Sequence, residues 1–289
     1  MSNMPKEDLI KLNENTSKAF APIWRKNASD NLYKVLKHKR VQDICHDKSK
    51  IALIIAAGPS LKYHFKIIRD FREEFTIFCV DVAFGILVDN DIMPDYVMTL
   101  DSGNIGRAFP ERLKEKTKES ALITATVSPA ELTDLFKGEI YYYNCHNPQI
   151  KVLTEVEKMF PQIKPLVSRL NVADFALYNV GLLFGYKNIC VMGMDFSFTD
   201  REIFYAGETS HIHHFDELSK IFKSRIDNFG EPIYITDEFQ WYVDSFVDNW
   251  RVLYGRWKIF WMCKGSIPLS YDRKALIAEL IMRKSERGW

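Results

Sequence analysis

The chain has 289 residues, enough to bury a substantial core as one large unit or as one unit with helical additions. Lysine plus arginine (39) almost balances aspartate plus glutamate (38), which excludes the strong basic excess typical of nucleic-acid proteins. The 47% hydrophobic and 27% charged residues are those of a folded soluble protein.

Residues 1–50 form the first predicted unit, a helical N-terminal extension. Leu9, Leu12, Phe20, Ile23, Trp24, Leu32, Val35 and Leu36 recur at spacings near three and four. The opening stretch is polar and has no apolar run of signal-peptide type, and no segment approaches the ~20 apolar residues of a membrane span. The segment Tyr33 to Arg40 is basic, either as a solvated helix face or as a patch for an anionic ligand or acidic partner.

Residues 51–210 read as a nucleotide-binding α/β core. Ile51 to Ala56 is a short, continuous apolar run of the kind that forms a strand buried on both faces. Further strands are expected at Phe75–Val80, Tyr96–Leu100, Ala121–Ala125, Ile140–Tyr143 and Asn188–Met192. Helices are expected from the Gly58 turn through Phe71, over Ala83–Asp89 and over residues 172–185. Strands alternating with helices predict a Rossmann-like, doubly wound and mostly parallel sheet. Residues 211–289, with Trp241, Trp250, Trp257 and Trp261, are expected to form a helical cap packed on the core, the tryptophans serving packing rather than a cofactor. The helical ends cap the sheet or pair two protomers in a homo-oligomer.

Five cysteines (Cys45, Cys79, Cys145, Cys190 and Cys263) are scattered without a CxxC pair, as free thiols are in a reducing compartment. The expected location is cytoplasmic.

Ligands of open α/β sheets bind at the carboxyl ends of the strands, so those ends hold the candidate residues. The first strand delivers Gly58, Pro59 and Ser60, a tight turn opening a helix whose amide end suits an anion. The turn is neither GxGxxG nor a Walker A loop. Asp81 ends the second strand, Asp101 and Ser102 follow the third, and Gly193-Met194-Asp195 follows the last. Singly, each aspartate reads as a cap or a loop hydrogen-bonder; together they read as ribose, base or metal contacts in one crevice. Beyond them come Tyr205 and the cluster His211, His213 and His214. Three readings stay open for the cluster: a polar loop or helix start, a catalytic base, and a zinc site. His146, beside Asn144 and Asn147, is a further candidate for the crevice.

Taken in order, the AAGPSL turn, the segment Ile92 to Asp101 and the run Gly185 to Phe196 resemble the motility accessory factor group. That superfamily also holds the archaeal 6-hydroxymethyl-7,8-dihydropterin diphosphokinases. The GPSL turn and Phe184 to Phe196 are also similar to segments of small bacterial sialyltransferases that use CMP-sialic acid.

The sialyltransferase resemblance implies a glycosyltransferase that needs no cofactor and moves a nucleotide-activated sugar to a protein or glycan hydroxyl. Gly58, Ser60, Asp81 and Asp101 would hold the nucleotide, Tyr205 would stabilise the leaving phosphate, and one of His211, His213 or His214 would be the base. Asp81 stands where those enzymes have asparagine. The diphosphokinase resemblance implies pyrophosphate transfer from ATP to a hydroxymethyl pterin, with Mg2+ on Asp101 and Asp195. A non-catalytic nucleotide-binding protein is the third expectation.

Overall fold

The computed structural model describes residues 6–100, 102–103, 109–169, 171–199, 206–207 and 222–286, with the side chains of 6–13 and 251–254 left aside. In chain order the strands are β1 (Lys39–Arg40), β2 (Ile51–Ile55), β3 (Phe75–Val80), β4 (Tyr96–Met98), β5 (Ala121–Ala125), β6 (Ile140–His146), β7 (Pro165–Val167), β8 (Asn188–Met192), β9 (Lys223–Ile226), β10 (Pro232–Ile235) and β11 (Lys258–Trp261). The α-helices are α1 (Lys6–Lys37), α2 (Phe65–Asp70), α3 (Asp81–Val88), α4 (Leu132–Leu135), α5 (Lys151–Met159), α6 (Val172–Leu183), α7 (Asp237–Tyr254) and α8 (Arg273–Glu286).

Nine strands form one sheet in the order β1-β6-β5-β4-β3-β2-β8-β11, with β7 also on β6, and neighbours run parallel. Its central strands carry no exposed side chain: β2 and β3 are buried throughout, as a parallel sheet covered on both faces requires. Successive residues of β6 show the two layers. Tyr142 points to α1, donating to Asn31 Oδ1 at 3.3 Å, whereas the Tyr143 ring lies 5.1 Å from Phe175 of α6. The predicted Rossmann-like, doubly wound architecture is therefore present. β9 and β10 form a separate antiparallel hairpin.

Local chemistry sets several of the boundaries. Asn171 starts α6 by accepting from the amides of Ala173 and Asp174, and Thr236 starts α7 by accepting from Phe239 N. The expected helix after Gly58 is instead a 3-10 turn, Pro59–Tyr63, followed by the six-residue α2. The third strand stops at Met98, two residues early.

Both terminal regions enter the sheet as well as flanking it. Residues 39–40 pair with β6, and β11, inside the stretch expected to be a helical cap, pairs with β8. The tryptophans there do pack: Trp261 lies 5.7 Å from Phe246 and 5.9 Å from Trp250, ring to ring. Trp257 occupies the space a Cβ on Gly181 would need, 2.5 Å from that position.

The apolar residues of α1 mark its buried face only in part: of those singled out, Trp24 and Val35 are buried. Leu32 and Leu36 are exposed, whereas Asn27 and Asn31 are buried. Cys79, Cys145, Cys190 and Cys263 are buried free thiols and Cys45 is an exposed one. Burial raises the pKa of the four buried thiols, Cys145 to about 11, which keeps them protonated and unreactive. No helix among the described residues is long and apolar enough to cross a membrane.

Candidate functional site

Strands β2 to β6 are laid down in one direction across the sheet, and β8 then returns to the other side of β2. The carboxyl ends of β2 and β8 are thus a topological switch point, where the connections part to opposite faces and leave a crevice. The two motifs singled out in the sequence, Gly58-Pro59-Ser60 and Gly193-Met194-Asp195, occupy those two ends.

They are stitched to each other. Ala56 N donates to Met192 O at 2.9 Å and Gly58 N to Gly193 O at 2.8 Å, extending the ladder past the strands. Ser60 then donates to Asp195 twice, from its backbone N (2.7 Å, to Oδ2) and from Oγ (2.6 Å, to Oδ1). A Cβ on Gly58 would lie 2.5 Å from Gly193 O and 2.6 Å from Asp195 Oδ2, so only glycine permits this approach. Gly193 has φ +72°, the left-handed region that glycine enters at little cost.

A third turn closes over the pair. Ser266 N donates to Asp195 O at 3.0 Å, Ser266 Oγ to Phe196 O at 3.1 Å, and Met194 N to Cys263 Sγ at 3.2 Å. This Cys263–Ser266 contribution was missed in the sequence. Its signal was the Gly265-Ser266 pair that follows the apolar run Ile259 to Cys263.

These bonds change the chemistry expected of the turn. The amides of Gly58, Ser60 and Leu61 are spent on Gly193 O, Asp195 Oδ2 and Gly58 O, and Pro59 has none. The turn therefore offers shape and close backbone approach rather than a nest of open N–H groups. Asp195 is buried, and desolvation raises its pKa to about 6. The Ser60 hydrogen bonds and the Lys264 amide act against that shift, and nearby Asp227 adds to it.

Along the crevice, Asp81 at the end of β3 is also buried. Its Oδ1 accepts from Val82 N and its Oδ2 from Thr99 Oγ1, both at 2.8 Å. Thr99 O in turn accepts from the Tyr143 hydroxyl at 2.7 Å. Ser102 lies beyond β4 and is held by α1: Trp24 Nε1 donates to its Oγ at 2.8 Å and Asn27 Nδ2 to its carbonyl at 3.0 Å.

Asp101, Tyr205, His211, His213 and His214 lie outside the described residues. The neighbouring Ala206 is described, and its N donates to Ala57 O at 2.9 Å, at the mouth of the crevice. Gly207 lies against Ile86 of α3. His146 is elsewhere: it ends β6, with β5, β4 and β3 between it and β2, and its Nδ1 is 3.0 Å from Glu157.

One charged pair near the carboxyl edge was not anticipated. Arg169 Nε lies 3.1 Å from the fully buried Asp174, just before and within the first turn of α6. Among the described residues no group of three or more His, Cys, Asp or Glu side chains could hold a metal ion.

Residues 26–201 match the model of the family described as 6-hydroxymethylpterin diphosphokinase MptE-like. A protein of Treponema pallidum (strain Nichols), described as uncharacterized, is 33% identical over 90 residues, which are 31% of this chain and 42% of that protein. Among solved structures, the MAf glycosyltransferase from Magnetospirillum magneticum AMB-1 superposes with a TM-score of 0.62 at 17% identity, over 91% of this chain. That likeness is one of fold, and the chain spans 42% of the length of that enzyme. With the family match running over more than half of its residues, the chain belongs to the 6-hydroxymethylpterin diphosphokinase MptE-like family.

Proposed function

We propose that the chain is a transferase that takes a nucleotide-activated donor in the crevice between the carboxyl ends of β2, β3 and β8. The observation that carries this reading is the stitched pair of turns at the switch point. Glycine at 58 and 193 lets the ends of β2 and β8 pack directly on each other, and this fixed floor lies at the sheet position where ligands of open α/β folds bind. The fold shared with a glycosyltransferase supports a sugar donor, most specifically a CMP-linked nonulosonic or similar sugar. The acceptor is a protein or glycan hydroxyl.

In this reading the acceptor oxygen attacks the anomeric carbon and the bond from that carbon to the phosphate oxygen breaks. CMP leaves with the bonding electrons, and the acceptor proton passes to a base. Asp81 and Ser102, with Asp101, line the nucleotide; Gly58, Pro59, Ser60, Gly193 and Asp195 shape its floor. Tyr205 serves the departing phosphate and one of His211, His213 or His214 serves as the base, as the sialyltransferase resemblance implies. Stabilising charge on the leaving phosphate is the larger contribution of such a site.

The family match favours a second reading, pyrophosphate transfer from ATP to a hydroxymethyl pterin with release of AMP. Of the carboxylates expected to hold magnesium there, Asp195 is buried and has both oxygens engaged by Ser60, which does not fit a metal ligand. That reading then rests on Asp101 and carries no step through the metal.

Thermal melting with CMP, UDP, GDP, AMP and ATP, each with and without magnesium, separates the readings, because a ligand that binds only the folded state raises the melting temperature. The expected result is a rise with CMP that does not need magnesium. A rise confined to ATP or AMP with magnesium, followed by turnover of ATP to AMP, selects the diphosphokinase. No rise with any cytidine nucleotide removes the CMP-sugar reading.

A further inference from the structure

Helix α1 rests on the sheet through a mixed face, in which polar side chains lie beside the buried Ala28 and Val35. Trp24, Asn27, Asn31 and Lys34 recur at helical spacing along one stripe. Each is bonded at the carboxyl edge of the sheet. Trp24 Nε1 donates to Ser102 Oγ (2.8 Å), and Asn27 Nδ2 to both Ser102 O (3.0 Å) and Val127 O (2.8 Å). Asn31 Nδ2 donates to Thr126 O (3.0 Å) and Ser128 O (2.8 Å), and Lys34 Nζ to Ala130 O (2.5 Å).

Asn27 is 5% exposed and Asn31 1%, while Leu32 (45%) and Leu36 (76%) of the same helix stand in water. Burying carboxamides costs free energy that their hydrogen bonds only recover, so this stripe adds little adhesion beyond what apolar residues would give. What it adds is directional. An apolar contact tolerates sliding, whereas one amide bonded to two carbonyls fixes their separation. Asn27 joins the loop after β4, at Ser102, to the loop after β5, at Val127. Trp24 fixes the Ser102 side chain as well.

We propose that Trp24 and Asn27 are positioning residues for the crevice: they set Ser102, in the segment that follows β4, so that α1 is a wall of the ligand site. The ligand role of that loop rests on the donor-site reading given above; the fixing of the loop does not. Neither residue is a catalytic group.

The test uses the full chain and three variants. Trp24→Phe keeps a ring against Phe20 and removes the donor to Ser102; Asn27→Ala removes the bridge. Asn31→Ala removes the same chemistry from the loop after β5 and is the control. Amide hydrogen exchange over residues 99–104 and CMP affinity are measured beside the melting temperature. Trp24→Phe and Asn27→Ala are expected to speed exchange over 99–104 about tenfold and to weaken CMP about tenfold, the size of one or two lost hydrogen bonds.

Asn31→Ala is expected to lower the melting temperature by a similar amount with both readouts at the wild-type value. The proposal is overturned if exchange over 99–104 is unchanged in Trp24→Phe, or if all three variants weaken CMP in proportion to lost stability. A wild-type chain that binds no nucleotide removes the donor-site reading alone, and the exchange measurement still decides whether α1 fixes the loop. If Asn27→Ala fails to fold, Trp24→Phe carries the test.

Discussion

Ser60 and Asp195, 135 residues apart in the chain, meet through two short hydrogen bonds that use both carboxylate oxygens and both donors of the serine. Within the buried crevice floor, this pair ties the turn after the first core strand to the turn after the strand that returns beside it. A hydrogen bond to a buried charged acceptor is worth more than one between neutral groups. Ser60→Ala is therefore expected to cost about 2 kcal/mol of stability, read from urea unfolding. A loss near zero would mean that the pair holds nothing.

The glycine at the head of the same turn gives a sharper case. Gly58→Ala places a methyl 2.5 Å from a backbone oxygen, Gly193 O, and a strand end cannot yield as a flexible side chain does. The expected loss is about 3 kcal/mol or more, on the scale of severe overpacking. Wild-type stability in this variant would show that the two turns separate freely.

Two buried groups titrate against each other. Asp195 has its pKa raised by burial from 3.8 to about 6, so the folded state holds the extra proton over that interval and stability falls as pH rises through it. His64 is buried beside the Tyr271 ring. Burial, aided by Arg273 and opposed by the Met262 backbone, lowers its pKa from 6.5 to about 4. Here the unfolded state holds the extra proton, and stability rises with pH over nearly the same interval.

The wild-type chain is expected to show little slope from this pair between pH about 4 and about 6, because the two effects offset. Asp195→Asn should leave the histidine's rise, and His64→Phe the aspartate's fall, each about 3 kcal/mol across the window. Urea titrations of the three proteins over that range decide it. Slopes of the same sign in both variants would rule the assignment out.

Gly181 and Trp257 should be coupled. Alanine at position 181 in the wild-type background meets the indole at 2.5 Å and is expected to destabilise. In a Trp257→Leu background the obstruction is gone, and alanine inside α6 is expected to gain up to about 1 kcal/mol from helix propensity. A double-mutant cycle measures the difference, and additive effects would refute the contact.

The core strands were legible because a fully buried parallel strand leaves a run such as Ile51–Ile55 or Asn188–Met192, with its end marked by glycine or aspartate. β11 was not, since Lys258-Ile-Phe-Trp261 is aromatic enough to look like helix packing and has only four residues to show a period. β1 and β7 are shorter still. The docking of α1 was hidden for a different reason. Periodicity weighs apolar residues, and it finds Trp24 and Val35 on the buried face but misses Asn27 and Asn31 and wrongly includes Leu32 and Leu36.

At the site, position along the sheet picked out Gly58, Ser60, Gly193 and Asp195 as neighbours. Their contacts could not be read that way. The carboxylate of Asp195 faces the serine of the other motif, a relation that exists only once β2 and β8 lie side by side.

That late adjacency also orders events in time. β2 is an interior strand of the sheet, paired on one side by β3, the next strand to be made, and on the other by β8. During synthesis the β8 side of Ile51–Ile55 has no partner until most of the chain has left the ribosome, and pairings so distant in sequence close slowly. A chain stopped before Asn188 carries β2 as an unpaired apolar edge, the kind of edge that captures other strands. The stitch between the two turns is therefore also a late closure of the sheet, with β11 still to join beside β8, and a crevice able to receive a ligand marks a chain in which β2 and β8 have met.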